Sequence, residues 1–125
     1  MTTTLVRPTN EAELLSRAER LKPFLRQHAG ETERLGRLSP AVRDSLRDLG
    51  FFRLTTPTKH GGQGATLPGS MRILETLASG DASAGWCAWV ACAVPAMSAF
   101  LTEAGAREVI EPPDTAIANS QAGMG

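Results

Sequence analysis

Tyrosine is absent from this sequence, cysteine and histidine occur only twice each, and neither sign of charge is in excess. Each shortage removes a class of function. Thirteen basic residues are balanced by thirteen acidic ones, which leaves no electrostatic footprint for nucleic acid or an anionic membrane surface. Four scattered phenylalanines make no platform on which bases could stack. The start, "MTTTLVRPTNEAELL", has no basic segment leading into an apolar run and a small-residue cleavage site, so it does not read as a signal peptide. No CxxC or Cys/His spacing suits a metal, and no metal ligand is assigned. Cys87 and Cys92 lie five residues apart on one predicted helix, about 140° apart around it, and cannot bridge to each other. Two buried, reduced thiols in a cytoplasmic protein is the plain reading.

What is present is helical. From Asn10 to about Leu35, Leu14, Leu15, Ala18, Leu21 and Leu25 recur at helical spacing among Glu and Arg. Asn10 and Glu13 have the spacing of a capping box, and Pro23 predicts a kink or a split. In "LSPAVRDSLRDLGFF", Ser39 caps, Pro40 takes the first helical position, Val42, Leu46 and Leu49 face inward, and Gly50 ends the helix. A third helix is predicted from about Pro68 to Ser79 with Met71, Leu74 and Ala78 inward, and a short one over Glu103–Ile110, stopped by Pro112 and Pro113.

Between these lies "DASAGWCAWVACAVPAMSAFL", Asp81 to Leu101, uncharged after its first residue. Its length suits a membrane span. Its content does not: seven of the twenty residues from Ala82 to Leu101 are alanine, Pro95 sits inside, and Asp81 and Glu103 rather than basic residues bracket it. A helix apolar all round can equally be the buried centre of a bundle. That reading predicts no membrane insertion and makes this helix the least exposed element of an all-α bundle.

The connection "FFRLTTPTKHGGQGATLPG" should tuck an extended segment against the bundle through Phe51, Phe52 and Leu54, then turn tightly at glycines 61, 62 and 64. It matches neither GxGxxG nor GxxxxGK[ST]. His60 has no carboxylate or nucleophile beside it in sequence, so it reads as solvated or capping a carbonyl rather than catalytic.

The order of features in "LGFFRLTTPTKHGGQGATLPGSMRILETLASGDASAGW" resembles the N-terminal helical domain of the acyl-CoA dehydrogenase superfamily, with Gly50, Pro57, Gly61, Gly62, Gly64, Glu75, Asp81 and Ser83 at matching positions. The likeness extends over roughly Leu14 to Gly125. Within the superfamily, "GDASAGWCAWV" is more similar to the two-component flavin-dependent monooxygenases, in which a "D-x-S-x-x-W" helix lines the substrate and flavin cavity; Trp86 matches that tryptophan. The resemblance implies a small-molecule substrate, aromatic or similarly organic. It also implies reduced FMN or FAD delivered by a separate flavin reductase, and a homotetramer at full length. An FAD-dependent acyl-CoA dehydrogenase acting on a thioester, and a helical interaction module without chemistry, are the alternatives.

Trp86, Val90, Val94 and Met97 stand at i, i+4, i+8 and i+11 and share a predicted face, the candidate substrate pocket. The same stripe is what an ordinary core helix shows. Phenol-hydroxylating members of the superfamily carry a histidine about two turns after the tryptophan, where this sequence has Val94, so a simple phenol is not implied. After the double proline, "DTAIANSQAGMG" resembles the first strand of the family's middle β-domain, with "SQAGMG" in place of "T-E-P-G-A-G". By that likeness Asn119, Ser120 and Gln121 are the candidate cofactor contacts. The expected organisation is a disordered 1–9, a helical domain over 10–111, and the start of a truncated β-domain over 112–125. The resemblance places the catalytic base of the dehydrogenases, and the later histidine of the hydroxylases, in parts of the family fold beyond this sequence. No catalytic residue is assigned, and this chain alone is expected to be inactive and to bind flavin weakly.

Overall fold

A computed structural model describes residues 8–119. It is all-α among those residues: α1 (Pro8–Leu35), α2 (Pro40–Asp48), α3 (Leu67–Gly80), α4 (Ala82–Ala93) and α5 (Glu103–Val109), with 3-10 turns at Phe51–Arg53, Thr58–His60 and Pro95–Phe100. The expected disordered N-terminus lies, up to residue 7, outside the described residues.

The core is assembled mainly by α3, which packs against α1 on one side and α4 on the other. Leu14, Ala18 and Leu25 of α1 meet Ile73, Leu74 and Leu77 of α3, with Val42 and Leu46 of α2 and Phe51 and Leu54 closing the cluster. These side chains are apolar at helical spacing, and each large one removed from water contributes about 1.5–3 kcal/mol.

Local signals place α2 as expected. Ser39 Oγ accepts from the Val42 amide at 3.3 Å, Pro40 follows it, and Gly50 adopts φ +88° just past the end. The start of α1 differs. Asn10 is inside the helix rather than capping it, and its side-chain Nδ2 donates to the Gln63 carbonyl at 2.8 Å. Glu13 pairs along the helix with Arg17 at 3.1 Å. Pro23 does not divide α1, which runs through it for 28 residues. Ala18 and Leu25, both fully buried, anchor it on either side of the missing amide bond.

Two inward assignments on α3 are corrected. Met71 and Ala78 are exposed, whereas Ile73 and Leu77 are buried beside Leu74. The cause is the approach of α4. A Cβ at Gly85 would lie 2.6 Å from Ala78 Cβ and 2.7 Å from its Cα, so the helices touch backbone to backbone there. Ala78 is consumed at this crossing point, and the core lies on the neighbouring face.

The uncharged stretch is also not one buried helix. By length and composition Ala82–Phe100 passes for a membrane span. In the fold it is a 12-residue α-helix followed by a 3-10 segment from Pro95, whose missing amide ends the α-helical ladder. Ala84, Ala88 and Cys92 are buried, but Trp86 is 66% exposed and Phe100 84%. Small residues form the inner stripe and large ones the outer, so the helix is not buried all round.

Phe51, Phe52 and Leu54 are buried as expected, yet through a 3-10 turn rather than an extended segment. The glycine turn then folds back beneath it, with Gln63 N, Gly64 N and Ala65 N donating to the carbonyls of Arg53, Thr56 and Leu54. Gly62 is required by proximity, because a Cβ there would fall 2.0 Å from the Thr56 carbonyl oxygen. Beyond α5 the chain makes a turn near Pro112 and runs on irregularly. No strand forms among the described residues, as a β-strand without a partner lacks its ladder bonds.

Candidate functional site

The α4 helix begins where Asp81 Oδ1 accepts from the Ser83 amide at 3.2 Å. Trp86 follows two residues after buried Ala84, about 200° further round the helix, and is therefore directed away from the core. It stands at the meeting of three concavities. The one that takes in both Trp86 and Val90, the principal one for the expected pocket, has a volume of about 550 Å³, within the range of small-molecule sites. Its walls are the α1–α2 connection (Arg37, Leu38, Pro40) with Arg43, the buried edge of Phe52, the outer face of α4 (Trp86, Cys87, Val90, Ala91) and the segment Ala116–Ala118. A second, of about 480 Å³, runs between α3 and α4 past Met71, Ala78, Gly85 and Trp89. The third, of about 580 Å³, joins Glu33, Gly36 and Arg37 to Ser83, Trp86 and Cys87.

The four residues of the expected pocket stripe part company here. Trp86 and Val90 line the principal cavity, while Val94 and Met97 do not. The helical register that would align them stops at Ala93, and the 3-10 segment turns about 120° per residue instead of about 100°. Val94 is half-buried at the helix end and Met97 is exposed. Trp89, which α-helical spacing predicts to pack between helices, is 39% exposed along the α3–α4 groove. Asn119 is exposed at the end of the described chain, and Ser120 and Gln121 lie outside the described residues.

Neither thiol is a disulfide partner. Cys87 is half-buried in the cavity wall, and its burial, together with the negative charge of Asp81, pushes its pKa up. Burial does the same to Cys92, whose Sγ lies 3.5 Å from the Phe51 carbonyl. Both stay protonated and weakly nucleophilic at neutral pH. No three metal-ligating side chains gather among the described residues.

A further cluster was not legible in the sequence. His60 is buried, 5% exposed, and its Nδ1 is 3.4 Å from Glu111 Oε1. Arg53 donates through Nη1 to the His60 carbonyl at 3.3 Å and through Nη2 to the Pro112 carbonyl. Four residues drawn from the 3-10 turn, the glycine turn and the end of α5 thus clasp the segment that continues to Ala116–Ala118 in the cavity wall. The partner of His60 is 51 positions away, which is why inspection of its sequence neighbours did not find it.

The profile of the acyl-CoA dehydrogenase N-terminal domain matches residues 13–112. The chain belongs to that family. Two curated relatives match at similar identity. The oxygenase subunit HsaA of a flavin-dependent monooxygenase from Rhodococcus jostii (strain RHA1) is 36% identical over 72 residues, 58% of this chain and 19% of that protein. YdbM of Bacillus subtilis (strain 168), named as an acyl-CoA dehydrogenase, is 37% identical over 71 residues, 54% of this chain and 19% of its own length. The chain therefore spans about a fifth of the relatives it matches. No solved structure matches it. In this acyl-CoA dehydrogenase-type domain, the cavity beside Trp86 is the candidate binding site.

Proposed function

We propose that this domain is the substrate-side wall of a flavin-dependent oxidoreductase of the two-component monooxygenase kind. The observation that carries this reading is the exposed Trp86 indole standing over a cavity of about 550 Å³ between α2 and α4. An exposed aromatic face beside an apolar cavity offers a platform on which a flat ring can stack. Phe52, Val90 and Ala91 give the cavity an apolar floor without bulk, which fits one face of a conjugated ring, whether of substrate or of flavin. The monooxygenase relative supports this direction, and family membership supports flavin as the cofactor.

On this reading the reduced flavin, FMN or FAD supplied by a reductase, provides the two electrons with which one atom of O2 enters the substrate and the other leaves as water. The chain's own residues stack and orient the organic substrate through Trp86, hold it against Val90, and exclude water. By the family likeness, Asn119, Ser120 and Gln121 are the cofactor contacts. On the same reading, the full-length protein that carries this domain is a homotetramer in the cytoplasm. The dehydrogenase relative favours a second reading, in which the same wall borders a thioester substrate and FAD.

The deciding experiment supplies a protein that carries this domain with reduced flavin, oxygen and a panel of aromatic compounds. Hydroxylated product in step with oxygen consumption supports the monooxygenase reading. Reduction of an artificial electron acceptor that depends on an acyl-CoA, without oxygen incorporation, supports the dehydrogenase instead.

A further inference from the structure

The charge around the principal cavity is one-sided. Arg37 and Arg43 both line it, and no acidic residue does. Arg43 is engaged with Asp44 at 2.9 Å, and Asp44 also reaches Arg47 at 3.3 Å. Arg37 differs: among the described residues no carboxylate comes within ion-pair distance of it. Glu33 lines the adjoining concavity without pairing with it, and Asp81, which caps α4 through Oδ1 and whose charge reaches Cys87, forms no ion pair with it either.

The backbone that carries Arg37 is well held. Gly36 N donates to the Glu33 carbonyl at 3.2 Å, and the amide of fully buried Ser39 donates to Thr32 Oγ1 at 3.3 Å. An exposed guanidinium and the Trp86 ring thus line the same cavity. Guanidinium groups match carboxylates in planar, two-point geometry, and an indole face matches an aromatic ring.

We propose that this cavity selects flat aromatic compounds bearing a carboxylate, with Arg37 holding the charge and Trp86 the ring. This deepens the functional reading above and rests on its pocket, but its test needs no flavin chemistry. Cys87 lies in the same wall and reports on occupancy and local charge together.

The 125-residue chain is treated separately with iodoacetate and iodoacetamide, and label at Cys87 is quantified by peptide mass spectrometry. In each case the thiolate displaces iodide to form a carbon–sulfur bond, so the ratio of rates cancels the raised pKa of the thiol. Normalised to a free cysteine derivative, iodoacetate is expected to gain about threefold at low salt, the size of a solvent-screened charge effect. The gain should disappear in Arg37→Gln, persist in Arg37→Lys, and shrink in high salt. A ratio equal to that of the free thiol, or an unchanged gain in Arg37→Gln at unaltered melting temperature, overturns the role of Arg37.

In the second arm, 2-naphthoate should slow iodoacetamide labelling of Cys87 where 2-naphthamide and inorganic phosphate do not. Equal protection by naphthoate and naphthamide overturns charge selection while leaving the pocket standing. Equal protection by phosphate overturns the aromatic requirement. Protection by none of the three overturns the inference and the pocket together, and leaves flavin dependence to the turnover experiment.

Discussion

His60 Nδ1 and Glu111 Oε1 face each other at 3.4 Å across 51 residues of sequence, joining the glycine turn to the end of α5. With Arg53 bonded to the carbonyls of His60 and Pro112, this pair fixes where the chain leaves the helical domain. His60→Ala should speed amide hydrogen exchange at Thr115 and its neighbours through Ala118 while leaving α1 and α3 protected. Exchange accelerated uniformly across all helices would show that His60 supports the whole core and not the segment.

Gly85 is expected to tolerate no side chain. Gly85→Ala places a methyl 2.6 Å from Ala78 Cβ and 2.9 Å from its backbone nitrogen, so α3 and α4 must separate. Such overpacking costs about 1–3 kcal/mol. Because the backbone of Ala78 is also too close, Ala78→Gly should recover only part of the loss. Full recovery in thermal melts of the double variant would locate the conflict in the Ala78 methyl alone.

Trp86 and Ala88 should behave in opposite ways although they are two residues apart. Trp86→Ala removes a ring that is 66% exposed, so stability should change by under about 1 kcal/mol. In a protein carrying this domain, the same change should lower coupling of oxygen consumption to product. Ala88→Asp introduces a charge at a position with no exposure, and should unfold or nearly unfold the chain. A large melting shift in Trp86→Ala with normal coupling would make the ring structural.

The buried thiol gives a pH dependence of definite sign. Burial raises the Cys92 pKa in the folded state, so the folded chain keeps its proton where the unfolded chain has lost it. The associated stability is fully present below the ordinary cysteine range near 8.5 and is lost as pH rises above it. The melting temperature should therefore fall between about pH 8.5 and 10 more steeply than in Cys92→Ala. Parallel slopes for the two proteins would remove Cys92 as the cause.

Local chemistry determined those parts of the fold whose signals lie within a few residues of one another. The Ser39 cap with Pro40 and Gly50 bounded α2, and the double proline bounded α5, because caps and missing amides act over a single turn. The ordered glycines, with Pro57, Glu75, Asp81 and Ser83, carried the resemblance to the family, since turn and cap residues act over a few positions. The α-helical period also placed Trp86 and Val90 on one wall. Tertiary structure decided the rest. The contact of Gly85 with Ala78 rotated the core face of α3 away from Met71, and packing carried α1 through Pro23. The break at Pro95 took Val94 and Met97 out of the cavity that Trp86 and Val90 share. Glu111 reached His60, and Arg37 came to line the same cavity as Trp86, only once distant segments were folded together. Burial and charge pairing are sums over neighbours in space, and the linear order of residues does not contain those sums.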